Sequence, residues 1–297
     1  LTVLAALLLL ASTASLAQLA PYSQDFEGLD KDYVWALADD GWLIYGNVFG
    51  PFPNWWYWYG YGPFGAPNHP FGFSSIVTGE GGPAQGEQQL NVYSDYNNGN
   101  HGFPAWIESN VYKEIPVGAG DVGTTWRFVF DAKRGNIELN STASAFIKTF
   151  TSGWALTNFI QEPMTHIPYT WGTYHIDVYI DASLVGGVVQ IGFVNWATMY
   201  EGSAIFYDNV NFDYAPLAVN FDLRPEGCPN PINEKSQGLI TAAVLGRADF
   251  DVTMIDVATL QLEGVAPVLT GHEDVGTPYS GELCGCNAMG PDGFMDM

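Results

Sequence analysis

The chain has 297 residues, only 14% of them charged, and nine basic against 32 acidic residues leave a formal charge of −23. A surface so negative repels nucleic-acid phosphates and anionic headgroups, which excludes both as partners; divalent cations and neutral or cationic ligands stay compatible. Aromatics at 15% and 34 glycines describe a loop-rich β protein long enough for one large or two ordinary domains. The plainer reading of the acidity is solubility of an exported protein.

Residues 1–17 form an apolar run ending in small residues, with Ser15 and Ala17 at the minus-three and minus-one positions of a cleavage site before Gln18. This reads as a signal peptide rather than a membrane span. It begins on Leu1 without a Met or a basic lead-in, as though a few residues precede it. No other run reaches spanning length, so the mature chain is expected to be secreted, extracellular or periplasmic, where disulfides persist.

Next comes Asn54-Trp55-Trp56-Tyr57-Trp58-Tyr59-Gly60-Tyr61, framed by Gly50-Pro51-Phe52-Pro53 and Gly62-Pro63-Phe64-Gly65-Ala66-Pro67. The Pro/Gly frame predicts a long surface loop. In extended chain, Trp55, Tyr57, Tyr59 and Tyr61 share one face while Trp56 and Trp58 take the other. A one-sided core cannot absorb both rows, so one of them is expected to grip a ligand. The alternatives are internal packing and a contact with another protein or with lipid.

Further on, Trp126, Phe128, Phe130 and Ala132 alternate with Arg127, Val129, Asp131 and Lys133, and Tyr174, Ile176, Val178 and Ile180 oppose His175, Asp177, Tyr179 and Asp181. Strand-like runs recur at Gln89–Ser94, Ala143–Thr149, Val188–Asn195 and Ala204–Phe212, with Gly, Pro, Asn or Asp between them. No stretch keeps a strong helical period. The pattern predicts an all-β protein, an antiparallel jelly-roll sandwich. Asp95 to His101 has a passing likeness to a calcium loop but lacks its later Glu, so an Asn-Gly turn is the better reading. Asn140-Ser141-Thr142 is a formal glycosylation sequon.

Asp25-Phe26-Glu27-Gly28, the Asp39-Asp40-Gly41-Trp42 turn, Gly86-Glu87-Gln88-Gln89-Leu90 and Phe206-Tyr207-Asp208-Asn209-Val210, in that order, resemble the jelly-roll carbohydrate-binding modules of secreted polysaccharide-degrading systems. The likeness runs from about Gln18 to Asp213. It implies a polysaccharide or surface glycan as partner, and one structural calcium held by an acidic residue of the first strand and an Asp of the last. Those positions match Glu27 and Asp208 here, set against solvated turn carboxylates as the alternative. The aromatic stretch departs from that group, whose binding aromatics are fewer and more scattered. Read as a sugar platform, it comprises Trp55, Trp56, Tyr57, Trp58, Tyr59 and Tyr61.

Residues 214–218 read as a stiff joint. Beyond it, 219–297 resembles a small β module found near the C-termini of secreted multidomain bacterial and archaeal proteins, with no settled activity; the likeness implies a further strand after Gly290-Pro291-Asp292-Gly293-Phe294. Cys228, Cys284 and Cys286 lie here, enough for one disulfide with a thiol left over, and a bridge from Cys228 closes a loop worth about 4 kcal/mol on the entropic account. A zinc site would need more ligands than His272 adds. Asp292 and Asp296 are candidates for a second cation site, with acidic turns the commoner explanation.

No nucleophile elbow, metalloprotease motif or phosphate loop appears. No motif singles out a pair among Glu80, Glu87, Glu108 and Glu201 for glycoside hydrolysis. His175 and Tyr179 on one strand face, with Lys133 or Arg134 near, leave a lyase reading open. The expectation is a non-catalytic glycan binder, the alternatives being an adhesive protein and a polysaccharide lyase or hydrolase.

Overall fold

The computed structural model describes residues 18–50, 54–70, 72–102, 105–215, 219–225, 227, 233, 235, 238–248, 250–278 and 290–297. The chain separates into two compact units, the first ending at Ala215. Cys228, Cys284 and Cys286 lie outside the described residues, and so do Pro51-Phe52-Pro53 and residues 1–17.

Among the described residues the first unit holds twelve strands: β1 (Tyr22–Gln24), β2 (Leu43–Phe49), β3 (Tyr57–Gly65), β4 (Ser74–Thr78), β5 (Gln88–Val92), β6 (Trp106–Pro116), β7 (Thr125–Arg134), β8 (Thr142–Phe150), β9 (Leu156–Pro163), β10 (Gly172–Tyr179), β11 (Val188–Thr198) and β12 (Ile205–Tyr214), with a single-turn helix α1 (Ala36–Asp39) after β1. 

They form two antiparallel sheets, ordered β10-β7-β12-β5-β4, with β1 also on β12, and β3-β2-β6-β11-β8-β9.

The pairing is nested: β5 with β12, β6 with β11, β7 with β10 and β8 with β9. Eight consecutive strands folded back on themselves in this way, alternating between two sheets, make a jelly roll. β4 and β1 extend the first sheet, and β2 and β3 extend the second.

The core lies between the sheets and follows the alternation read in the sequence. Trp126, Phe128, Phe130 and Ala132 of β7 are all fully buried, and Ile176 and Val178 of β10 join them. Across the gap Phe193 of β11 stacks on Tyr207 of β12 and Trp42. Each such ring contributes roughly 1.5–3 kcal/mol by leaving water. The Asp39-Asp40-Gly41-Trp42 segment closes α1: Gly41 takes φ +88°, and Trp42 Nε1 donates to Asp40 Oδ2 at 3.0 Å.

The aromatic stretch is not a loop. From Tyr57 it is the edge strand β3, where Pro63 is tolerated because an edge leaves N–H positions unpaired. Nor do Trp55, Tyr57, Tyr59 and Tyr61 share a face. Tyr57 pairs with Phe49 but Tyr59 pairs with Val48, so Trp58 is the extra residue of a bulge that reverses the alternation. Trp55 precedes the strand with φ +35°.

The second unit pairs β13 (Asn220–Leu223) with β14 (Ala242–Leu245), and Val244 exchanges backbone hydrogen bonds with Met297. Ala243, Leu245 and Val252 are its buried apolar residues among those described. Asp296 is not poised for a cation: its carboxylate accepts from the N–H groups of Gly246, Val275 and Gly276 at 2.8–3.0 Å. Asp292 accepts from Phe294 N–H, an acidic turn.

Candidate functional site

The second sheet carries a built surface on the face turned away from the core. On β2, Ile44, Gly46 and Val48 point inward and Tyr45, Asn47 and Phe49 outward. Registers extend that outward row across the sheet as Asn47–Glu108–Trp196, Tyr45–Asn110–Val194, Tyr112–Gly192–Phe146 and Glu114–Gln190–Lys148. Tyr112, Phe146 and Val194 are nearly sealed there, a small apolar cluster of their own. An outward face that buries its own side chains is concave.

The concavity is a cleft of about 570 Å³ lined by Tyr45, Asn47, Asn110, Tyr112, Lys148 and Trp154, with Pro63, Glu114, Phe150 and Gln190 completing it. A polar chain runs along its floor. Asn47 Nδ2 donates to Glu108 Oε1 at 3.3 Å, Asn110 Nδ2 donates to the same oxygen at 2.6 Å, and Lys148 Nζ donates to Asn110 Oδ1 at 2.9 Å. Gln190 Nε2 donates to Glu114 Oε1 at 2.8 Å. Burial, with Glu114 nearby, raises the pKa of the Tyr112 hydroxyl, and burial with Tyr57 alongside raises that of Tyr45. Both phenols therefore stay protonated, as donors, at neutral pH.

One end of this face continues into an aromatic ridge. Trp106 and Trp196 lie 4.2 Å apart between ring centroids, Phe49 packs on both, and Trp55 reaches Trp106 at 5.4 Å. Tyr57 packs on Phe49 at 5.8 Å and is 55% exposed. Trp56 and Trp58, 51% and 47% exposed, stand 5.8 Å apart. Tyr59 and Tyr61 instead pack inward on Val48, Ala105 and Ile107. The Tyr59 hydroxyl accepts from Asn98 and Asn100, and that of Tyr61 donates to Asp95 Oδ2 at 2.5 Å. The six rings thus divide: four remain on the outside or on the ridge, and two, Tyr59 and Tyr61, turn inward and are half-buried. Asp95 also accepts from Asn97 N–H, so the Asp95–His101 segment is built as a turn.

Sequence reasoning missed the cleft because β6 was not recognised as a strand. Its signal was legible: Trp106, Glu108, Asn110, Tyr112 and Glu114 fall on one face, an alternation of large polar and aromatic residues rather than the small polar ones of a plain solvent face.

Glu27 and Asp208 meet at another corner. β12 pairs with β5 up to Tyr207 and with β1 from Val210, and a bulge between them sets Asp208 opposite Asp131 of β7. Two carboxylates directly opposite repel. Asp208 is fully buried and its Oδ2 has no hydrogen-bond partner. Burial, then the charges of Asp131, Glu27 and Asp25, push its carboxyl up to about 7. Glu27 is exposed, and its Oε1 accepts from the N–H groups of Glu87 and Gln88 at 2.7 Å each. Among the described residues no group of three acidic, His or Cys side chains is set for a metal. The orphaned oxygen of Asp208 and the surplus negative charge fit a hard cation; Glu27 fits only through its other oxygen.

The lyase constellation does not converge. β10 pairs Tyr179 with Thr125 and Gly172 with Ala132, which puts Lys133 about eight residues, roughly 26 Å, along the strand from Tyr179. Lys133 is held by Glu80 at 2.7 Å, and Arg127 pairs with Asp177 between them.

No family model and no curated protein matches the chain. Solved structures give distant likenesses. The chain is 7% identical to the CBM22-1 xylan-binding domain from Paenibacillus barcinonensis Xyn10C, over 68% of this chain and 99% of that one, with a TM-score of 0.36. A Stig cyclase, Fisc, from Fischerella sp. TAU gives 14% identity over 67% and 100%, with a TM-score of 0.40. The enzymatically active domain of bacteriophage CBA120 tailspike protein 4 gives 15% identity and a TM-score of 0.35, over 48% of this chain but 18% of that one. At identities and scores this low they say nothing of what this chain binds, and their own functions differ.

Proposed function

We propose that the protein is an exported, non-catalytic glycan binder whose ligand lies in the cleft of the second sheet and along the ridge toward Trp106, Trp55 and Tyr57. One observation carries this reading: a concave face lined by flat rings and floored by hydrogen-bonded Asn, Gln, Glu and Lys side chains. Rings suit the apolar CH faces of a pyranose, and amides and carboxylates suit its hydroxyls. A few stacked rings at roughly 1 kcal/mol each support micromolar to millimolar binding, so retention on a polymer would come from repeated attachment. Glu108 and Glu114 are six residues apart on β6, about 20 Å, well beyond the spacing of a glycosidase carboxylate pair. Export rests on the character of residues 1–17. Calcium at Asp208, with Glu27 beside it, rests on the orphaned carboxylate oxygen. A second reading, adhesion to a protein partner, is favoured by one feature, the exposed Trp56 and Trp58 side by side on an edge strand.

Affinity electrophoresis against a polysaccharide panel tests the site. Trp154→Ala is expected to weaken retention about fivefold to tenfold, while the Trp56→Ala, Trp58→Ala double variant keeps it. Retention lost only with the Trp56, Trp58 pair moves the site to the edge strand. No retention of native protein by any polysaccharide ends the glycan reading.

A further inference from the structure

We propose that the cleft selects a glycan carrying a carboxylate, a uronic acid unit on an otherwise neutral chain, and that Lys148 is the residue that recognises it. The inference rests on the glycan reading of the same site and adds its ligand class.

In the first unit Lys31, Lys113, Arg127 and Lys133 each have a carboxylate within 4 Å. Among the described residues Lys148 and Arg134 have none that close, although the charge of Glu108 acts on Lys148 from farther off, and of the two only Lys148 lines the cleft. In a chain of charge −23, a lysine without a direct carboxylate partner is conspicuous. Its amine is held in place: Nζ donates to Asn110 Oδ1 at 2.9 Å and stands 4.4 and 4.7 Å from the ring centres of Phe146 and Phe159. The Asn110 amide cannot turn over, because its Nδ2 is engaged with Glu108 Oε1 and the Tyr45 carbonyl. An ammonium has three donors, so two remain beside the cleft. A partly desolvated, preorganised cation with spare donors matches a carboxylate, and a charge-assisted bond is about twice as strong as a neutral one.

Glu114 lines the same cleft, which limits where an anion fits. Lys148 and Glu114 flank Gln190 on opposite sides, two strand spacings or about 10 Å apart. Glu108, bonded to Asn110, also acts on the Lys148 amine, so an anion belongs on the side of Lys148 away from both β6 carboxylates. The net charge argues against a polyuronate, since each further carboxylate meets a repulsive surface, and for an isolated one.

The test uses the full chain and one neutral-backbone polysaccharide with uronic acid side groups, intact and after chemical reduction of its carboxyls to alcohols. Native protein is expected to bind the intact polymer about tenfold more tightly, with the preference shrinking as salt rises. Lys148→Met is expected to bind both forms equally, and Lys148→Arg to keep the preference. Equal binding of both forms by native protein, with retention still sensitive to Trp154→Ala, overturns the role of Lys148 and leaves the glycan reading standing. Failure to bind either form, or any other polysaccharide, removes both. The comparison of the two polymers on native protein needs no variant to fold.

Discussion

His101 is a side chain whose neighbours set its chemistry. It is fully buried, its Nε2 lies 3.1 Å from Ser94 Oγ, and Tyr96 and Tyr200 pack against the ring. Burial lowers its pKa to about 4, against about 6.5 in an unfolded chain. Between these values the unfolded chain takes up a proton that the folded one refuses. Stability is therefore expected to fall as pH drops from about 6.5 to 4, by roughly 3 kcal/mol from this residue. Urea unfolding across that range measures it, and His101→Gln should show a shallower slope. Equal slopes would mean that the folded protein accommodates the charged ring. His101 stood in the sequence as part of an Asn-Gly turn, and its burial could not be seen there. The rings that seal it include Tyr200, about a hundred residues away.

At the scale of the element, β3 shows where local pattern misleads. Strict alternation assigns Tyr57 and Tyr59 to one face, but the bulge at Trp58 separates them. Substitution distinguishes the two arrangements. Trp56→Ala and Trp58→Ala are each expected to change stability by less than about 0.5 kcal/mol. Tyr59→Ala, which removes a ring from Val48, Ala105 and Ile107 and its bonds to Asn98 and Asn100, is expected to cost about 3 kcal/mol. Comparable losses at Trp58 and Tyr59 would restore a regular strand. β7 is the opposite case: it pairs with β10 without irregularity, the extra residue of the bulge on its other side lies in β12, and its inward row meets the core throughout, so β7 keeps the alternation its sequence shows.

For the whole molecule, the joint of β1 and β5 on β12 brings the start of the first unit to its last strand, with Asp208 at the seam. If calcium neutralises that corner, chelation should lower the melting temperature of native protein and barely affect a Glu27→Ala, Asp208→Ala variant. A native transition that ignores chelation counts against the cation. No helix among the described residues is long and apolar enough to cross a membrane.

The sequence by itself determined the all-β class, the inward faces of β7 and β10, and the lack of long helices among the described residues, because each depends on residues adjacent in the chain. Only the tertiary structure decided that two of six neighbouring rings turn inward to a half-buried position and that Tyr45, Asn110, Lys148 and Gln190 form one surface. Those residues come from four strands, β2, β6, β8 and β11, and register across a sheet is fixed by long-range pairing that no local pattern contains.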